Sequence, residues 1–134
     1  YEMAFCDWSS DVCSSDLFPL ATQNAARAYY WLHGQDCALA RQFAHAVYRA
    51  LFVDDQDISA PEAVIEIAAK LGVDRSNLEN ALQSPEIKAR LKDEVDNALK
   101  IGVFGSPYVL IDGEAFFGAD RLPQIEKWLE TGAF

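Results

Sequence analysis

A proline at the start of a predicted strand is the first feature of this sequence that could bind a ligand. Residues 102–108 read Gly-Val-Phe-Gly-Ser-Pro-Tyr, and Pro107 precedes a β-rich run, where it cannot donate to a strand ladder. A cis Ser106-Pro107 bond would turn the N–H and C=O of Ser106 outward, free to pair with an extended, peptide-like ligand. The alternative is a trans bond beginning an edge strand. Local sequence alone favours that alternative, because only about 5–6% of X-Pro bonds in folded proteins are cis.

A second candidate follows one hairpin later, where residues 116–121 read Phe-Phe-Gly-Ala-Asp-Arg. The glycine allows a sharp turn into a helix, and the first N–H groups of a helix point outward and bind carboxylates. The carboxylate of Asp120 would face a ligand ammonium group, so Ala119 and Asp120 together suit a zwitterion. The simpler interpretation is that Asp120 only caps the helix. Its place one hairpin away from Ser106 and Pro107 favours the binding role.

Other residues with reactive side chains fit structural roles better. His33 and His45 lie in no motif, and each is expected either on a helix surface or packed in the protein with its ring N–H hydrogen-bonded. Cys37 is expected to be a small, packed structural side chain. The aspartates of residues 54–57 lack the glycine and terminal glutamate of a calcium loop, which favours a solvated turn. The aromatic run at residues 29–31 could line a substrate pocket, but at least two of its rings are expected in the core. No metal site is predicted.

These candidates must be held by the elements that hydrophobic spacing predicts. Five helices come first, then a hairpin around Asp112-Gly113, then a last helix that Asp120 would cap. Asp36 and Asp74 suit helix N-caps, and residues 59–62, Ser-Ala-Pro-Glu, read as a capping box. An isolated hairpin of two strands is only marginally stable in water, so further strands are expected beside it. The predicted helices span about 20–31, 37–51, 61–71, 78–82, 85–100 and 121–129, and the strands 108–111 and 114–117.

The first seventeen residues differ from the rest of the chain. Residues 7–17 have no helical or strand period, and they match the translation of a sequencing-library adaptor, with residues 1–3 fitting its preceding segment. Residues 1–17 are therefore interpreted as non-native and set aside, a genuine Ser/Asp-rich leader being the alternative. Without them the acidic residues fall from 21 to 17, the net charge changes from −10 to −6, and Cys37 is the one remaining cysteine.

Composition excludes several functional classes. The chain of 134 residues is 51% hydrophobic with a net charge of −10, which is typical of one globular domain and unsuited to neutralising nucleic-acid phosphates. No apolar run approaches the roughly 20 residues needed to cross a bilayer. Neither a Cys-x-x-Cys pair nor a zinc-type spacing occurs. The sequence therefore predicts a soluble domain with no nucleic-acid or membrane partner.

Three segments together resemble the C-terminal signature of 2-hydroxychromene-2-carboxylate isomerases and kappa-class glutathione transferases. They are Gly-Val-Phe-Gly-Ser-Pro at 102–107, Asp-Gly-Glu at 112–114 and Phe-Phe-Gly-Ala-Asp-Arg-Leu at 116–122, in the same order and spacing. Further likenesses are Phe18-Pro19, the Ala-rich helices, the turn at residues 57–59 and the helix that opens at residues 85–88. The resemblance covers essentially all of residues 18–134.

The resemblance implies an α/β, thioredoxin-like fold of the DsbA and kappa-transferase type, interrupted by an all-helical insertion. Residues 18–101 would form the insertion domain and a connecting helix, and residues 102–134 the C-terminal ββα half of the thioredoxin-like domain. The N-terminal βαβ half, with the catalytic serine after its first strand, is expected upstream of Phe18 and missing here. The polypeptide as written is therefore expected to be catalytically inactive and to fold poorly.

The resemblance also implies glutathione as the cofactor, contacted by Ser106, Pro107, Ala119 and Asp120, and a small aromatic substrate. In this family the serine hydroxyl is thought to stabilise the glutathione thiolate, which adds to the conjugated substrate, permits rotation and ring opening, and then leaves. The expected parent is a cytoplasmic, homodimeric, glutathione-dependent isomerase of aromatic-compound degradation. The alternatives are a transferase acting on another electrophile, a DsbA-family thiol-disulfide oxidoreductase with Cys-x-x-Cys in place of the serine, and a helical interaction module.

Overall fold

The computed structural model of the chain describes residues 20–132. The segment interpreted as non-native, residues 1–17, and the Phe18-Pro19 pair lie outside the described residues. The chain divides into two compact units, Tyr1–Lys92 and Asp93–Phe134. The first unit is helical where it is described, and the second carries the hairpin and both candidate binding segments.

Five helices lie between residues 23 and 101, as the hydrophobic spacing predicted, with ends that differ from the predicted ones by a few residues. The last of them continues past the boundary between the two units. The five helices are α1 (Gln23–His33), α2 (Cys37–Phe52), α3 (Pro61–Ala69), α4 (Arg75–Gln83) and α5 (Pro85–Ile101).

Aspartate side chains begin two of these helices, as predicted. Asp36 Oδ1 accepts the backbone N–H groups of Ala38 at 2.8 Å and Leu39 at 3.3 Å, at the start of α2. Asp74 Oδ1 accepts the N–H of Asn77 at 2.8 Å, at the start of α4. Each carboxylate satisfies donors that the first helical turn leaves without intrahelical partners.

The predicted capping box before α3 is wrong. The N-cap of that helix is Ala60, and no side chain caps it. Ser59 instead directs both its N–H and its hydroxyl to Oδ1 of Asp57, at 2.8 and 2.6 Å. Because Ala60 rather than Ser59 occupies the N-cap position, the Ser59 hydroxyl does not accept an N–H group of the first helical turn, and it donates to the nearby Asp57 carboxylate instead. Pro61 at the helix start still fits, because its missing N–H needs no acceptor there.

The core of the first unit is formed by the apolar faces of its helices. Phe43 of α2 is 1% exposed, and Leu32 of α1 and Leu82 of α4 are also 1% exposed. Burying side chains of this size stabilises a fold by roughly 1.5–3 kcal/mol each. Tyr29 and Trp31 are half-buried and pack against this core, so two of the three aromatic residues at 29–31 border the core rather than lie within it as predicted.

Arg90 of α5 attaches that helix to the C-terminal end of α1. Its Nη1 donates to the carbonyl of Tyr30 at 3.2 Å, and its guanidinium carbon lies 5.4 Å from the centroid of the Tyr30 ring. The carbonyls of the last helical turn carry partial negative charge, which a cation stabilises. Among the residues of α5 none is buried, and this contact joins the helix to α1.

The second unit contains the predicted hairpin. Strands β1 (Tyr108–Ile111) and β2 (Glu114–Phe117) pair antiparallel, with Tyr108 opposite Phe117 and Ile111 opposite Glu114. Asp112 and Gly113, with φ values of 51° and 88°, form the connection, which is the backbone combination of a type I′ turn. The Asp-Gly pair thus sets the register of the hairpin, which determines the face on which each strand side chain lies.

One face of the hairpin is packed and the other is open. Phe116 is 3% exposed, and its ring lies 6.3 Å from that of Trp128 in helix α6 (Leu122–Thr131). On the opposite face Leu110 is 42% exposed and Phe117 is 44% exposed. Within residues 20–132 the sheet has two strands, so the further strands expected beside the hairpin are not among the described residues.

Candidate functional site

The Ser106-Pro107 peptide bond is cis, which is the isomer that the ligand-binding interpretation requires. Both residues are exposed, just before β1 begins at Tyr108. Within residues 20–132 neither the N–H nor the C=O of Ser106 has a hydrogen-bond partner. The polar backbone of Ser106 is therefore open to a ligand that presents a matching donor and acceptor.

One hydrogen bond joins this segment to the second candidate segment. The N–H of Gly118 donates to the carbonyl of Pro107 at 3.0 Å. The bond lies directly beyond the strand pair Tyr108 and Phe117, so it extends the hairpin ladder by one step. Because of this bond, both candidate segments lie at the same end of the hairpin. Ser106 and Pro107 come just before β1, and Ala119 and the residues after it follow β2.

Gly118 also allows the carboxylate of Asp120 to fold back onto the hairpin end. Its backbone has φ 105° and ψ 149°, a conformation that residues with a Cβ rarely adopt. A Cβ added to Gly118 would overlap Oδ1 of Asp120. The Asp120 carboxylate therefore lies over the Cα of Gly118, the residue whose N–H is hydrogen-bonded to the Pro107 carbonyl.

The prediction that Asp120 caps the last helix is wrong. Asp120 lies inside a 3₁₀ turn, Ala119–Arg121, and α6 begins only at Leu122 with Arg121 as its N-cap and no side-chain cap. The Asp120 carboxylate is directed toward Gly118 rather than toward the helix. Pro123, in the first turn, also has no N–H to be capped. The carboxylate is consequently available for another role.

The Asp120 carboxylate has one cationic neighbour. Its Oδ2 lies 3.8 Å from Nε of Arg121, and the two side chains are 66% and 48% exposed. At that distance and exposure an ion pair contributes little to stability, about 0–1 kcal/mol. Arg121 also donates to the side-chain oxygen of Gln124 at 3.4 Å. An anionic and a cationic group thus stand side by side at the solvent-facing end of the hairpin.

Three aromatic rings, which sequence reasoning did not single out, surround the same end of the hairpin. The ring of Phe104 lies 4.7 Å from Phe117 and 5.6 Å from Tyr108, and Phe104 is 61% exposed. The hint in the sequence was the position of aromatic residues on both sides of Ser106-Pro107. Their mutual contact depends on the hairpin register.

The remaining sequence candidates lie in the first unit. Cys37 was expected to be packed, but it is exposed, with its Sγ 3.7 Å from Nε2 of His33. His45 is exposed on α2, and the aspartates of residues 54–57 lie in or beside a turn. Among residues 20–132 no group of three or more acidic, His or Cys side chains is placed to hold a metal ion.

Comparison with known proteins defines the family. A family model described as the DSBA-like thioredoxin domain matches residues 13–130, which is most of the chain. The chain therefore belongs to the family of DSBA-like thioredoxin domains. This confirms the predicted α/β, thioredoxin-like fold, with which the described helices and two-stranded sheet agree.

Individual relatives fall into two named groups. The chain is 30% identical over 112 residues to the 2-hydroxychromene-2-carboxylate isomerase of Sphingobium xenophagum, with 84% of this chain and 55% of that protein covered. It is 29% identical over 87 residues to human glutathione S-transferase kappa 1, with 56% and 38% covered. For the rat enzyme of the same name the identity is 24% over 120 residues, with 81% and 53% covered.

These matches confirm the resemblance to isomerases and kappa transferases, and the relatives carry the names of enzymes. The chain spans about half the length of the curated relatives it matches, or less. Within residues 20–132 no helix is both long and apolar enough to cross a membrane.

Proposed function

We propose that this chain is the glutathione-binding part of a glutathione-dependent isomerase of the 2-hydroxychromene-2-carboxylate type, acting in the breakdown of aromatic compounds. Glutathione would be held by Ser106, Pro107, Ala119 and Asp120. The observation that carries the proposal is the hydrogen bond from Gly118 to the Pro107 carbonyl, because it brings both predicted segments to one end of the hairpin.

The chemistry of these groups suits a small peptide with a zwitterionic end. The N–H and C=O of Ser106 would pair with the peptide backbone of glutathione as a neighbouring strand does. The Asp120 carboxylate would accept a charge-assisted hydrogen bond from the ammonium of the γ-glutamyl residue. This chain would thereby bind and orient glutathione.

A kappa-type glutathione transferase acting on another electrophile is the second candidate. It is favoured by the relatives named glutathione S-transferase kappa from human and rat. Both candidates need the same glutathione site and differ in the second substrate. A DsbA-type oxidoreductase would carry Cys-x-x-Cys where the isomerase carries its catalytic serine. Residues 18–134 do not include that position, so the presence of Cys37 as their one cysteine does not bear on this alternative. A cytoplasmic location and a homodimeric state are proposed for the protein.

Titration of the ¹⁵N-labelled chain with reduced glutathione tests the proposal. The amide signals of Ser106, Tyr108, Ala119 and Asp120 should shift together and saturate. Asp120→Ala should weaken binding about tenfold, since it removes a hydrogen bond to a charged group.

Glu130→Ala is the matched control for that titration, because it removes one exposed carboxylate from the same unit without touching the hairpin end. It should leave affinity unchanged. Absence of saturable shifts in the unaltered chain would refute the glutathione site, and equal affinities of the unaltered chain and Asp120→Ala would refute the role given to Asp120.

A further inference from the structure

Gly118 meets three separate constraints at the candidate site. Its N–H is bonded to the Pro107 carbonyl at 3.0 Å, and its φ of 105° lies in the region that favours glycine. The space where a Cβ would stand is occupied by Oδ1 of Asp120. Gly118 itself is buried. One residue therefore contacts both halves of the proposed site, the strand with Pro107 and the turn with Asp120.

We infer that Gly118 is a positioning residue: by having no side chain, it lets the Asp120 carboxylate lie against the end of the hairpin, where a ligand's α-ammonium group would be bound. The inference rests on the proposed glutathione site and adds a residue to it that makes no ligand contact through a side chain.

The carboxylate has one neighbour on each side. Oδ1 lies over Gly118, and Oδ2 lies 3.8 Å from the Arg121 guanidinium. A charge-assisted hydrogen bond from an ammonium to a carboxylate needs a separation of about 2.7–2.9 Å, so a displacement of the carboxylate by an ångström weakens it strongly. A methyl group at Gly118 would force that displacement and leave the charge of Asp120 unchanged.

The hairpin offers a matched control for the backbone effect. Gly113 also has positive φ, 88°, but a Cβ there would meet no atom within 4 Å. Gly113→Ala therefore introduces the backbone strain of a Gly→Ala change without crowding a carboxylate. The φ of 105° and ψ of 149° at Gly118 are more restrictive for alanine than the left-handed φ at Gly113, so Gly118→Ala is expected to cost more stability for backbone reasons alone. The loss of ligand preference, rather than the loss of stability or of overall affinity, therefore reports on the space that Asp120 occupies.

The experiment measures the dissociation constants of glutathione and of glutathione lacking its α-amino group, by NMR titration of the whole chain and its variants. The unaltered chain should bind glutathione about tenfold more tightly than the deaminated ligand. Gly118→Ala should remove that preference, as Asp120→Ala does, whereas Gly113→Ala should keep it. Gly118→Ala introduced into Asp120→Ala should change the affinity for glutathione less than about twofold.

The outcomes distinguish a positioning role of Gly118 from a merely structural one. A folded Gly118→Ala variant that keeps the preference overturns the inference, and so does an equal loss of affinity for both ligands, which indicates a merely structural role. If Gly118→Ala does not fold, Asp120→Glu takes its place, because the longer side chain keeps the charge and moves the carboxylate by one methylene. Asp120→Glu should then lose the preference, and its retention would overturn the inference.

Failure of the proposed function looks different from failure of this inference. An unaltered chain that binds neither ligand refutes the glutathione site itself. An unaltered chain that prefers glutathione, together with a Gly118→Ala variant that does the same, leaves the site intact and removes Gly118 from it.

Discussion

Ser59 donates two hydrogen bonds to a single oxygen of Asp57. Its N–H lies 2.8 Å and its hydroxyl 2.6 Å from Oδ1. The hydroxyl bond, followed by the N–H bond, lowers the pKa of Asp57 below its ordinary value, against a smaller opposing effect of desolvation. The turn formed in this way leads into α3 and places Ile58, 1% exposed, in the core of the first unit.

Replacing Ser59 by alanine should raise the pKa of Asp57 toward its ordinary value of 3.8, because the stronger of the two hydrogen bonds is lost. A lowered folded pKa means that ionised Asp57 stabilises the fold above pH 3.8 and that this contribution is lost as pH falls through the lower folded value. The free energy of unfolding of Ser59→Ala should therefore depend less on pH below about 4. NMR titration of the Asp57 carboxyl carbon measures the pKa directly.

Ser76→Ala is the control for that titration, since Ser76 is exposed and its hydroxyl forms no hydrogen bond within residues 20–132. It should leave the Asp57 pKa where it is. An identical Asp57 pKa in Ser59→Ala and the unaltered chain would contradict the assignment of the shift to the hydroxyl.

Loss of the Asp36 carboxylate should destabilise the first unit. Asp36→Ala leaves the N–H groups of Ala38 and Leu39 without their acceptor, at an expected cost of about 1 kcal/mol. Urea unfolding followed by far-ultraviolet circular dichroism measures the change. Asp54→Ala, which removes an exposed aspartate that caps no helix, should stay within about 0.5 kcal/mol, and equal effects of the two substitutions would argue against capping.

Arg90 should matter for the attachment of α5 to α1. Arg90→Ala removes the hydrogen bond to the Tyr30 carbonyl and the contact with the Tyr30 ring, with an expected loss of about 1–2 kcal/mol. Amide hydrogen exchange should become faster in the last turn of α1. Lys92→Ala, an exposed cation on the same helix, is the comparison, and unchanged exchange in Arg90→Ala would show that the contact does not hold the helix.

Gly113→Ala should destabilise the hairpin through its backbone alone. The φ of 88° is unfavourable for alanine by about 1–2 kcal/mol, and no atom lies within 4 Å to add a clash. Thermal unfolding monitored through the Phe116 and Trp128 side-chain NMR signals measures the change in the second unit. An alanine variant as stable as the unaltered chain would mean that the turn can change to a type that tolerates a side chain.

Structural features that depend only on residues close together in the sequence could be predicted. The caps at Asp36 and Asp74 are such features, because each carboxylate reaches an N–H group within the next three residues. The Asp112-Gly113 hairpin was predictable for the same reason, since two positive φ values are a property of the turn itself.

The failures arose where a side chain had two possible partners. Ser59 could cap α3 or bond to Asp57, and Asp120 could cap α6 or fold back onto Gly118. Which partner wins depends on the exact backbone path. The bond between Gly118 and Pro107 also required the hairpin register, which aligns these two residues although they are eleven positions apart in sequence. The family resemblance located the segments of the candidate site, but not the contact between them.

The open face of the hairpin has a practical consequence for handling the protein. Leu110 and Phe117 are 42% and 44% exposed, on a sheet that has two strands within residues 20–132. Apolar side chains beside unpaired strand edges promote edge-to-edge association of molecules. Concentrated samples should therefore aggregate, which would appear as increasing light scattering and loss of NMR signal over time. The binding measurements should accordingly be made at low protein concentration, with a mild detergent to cover this face.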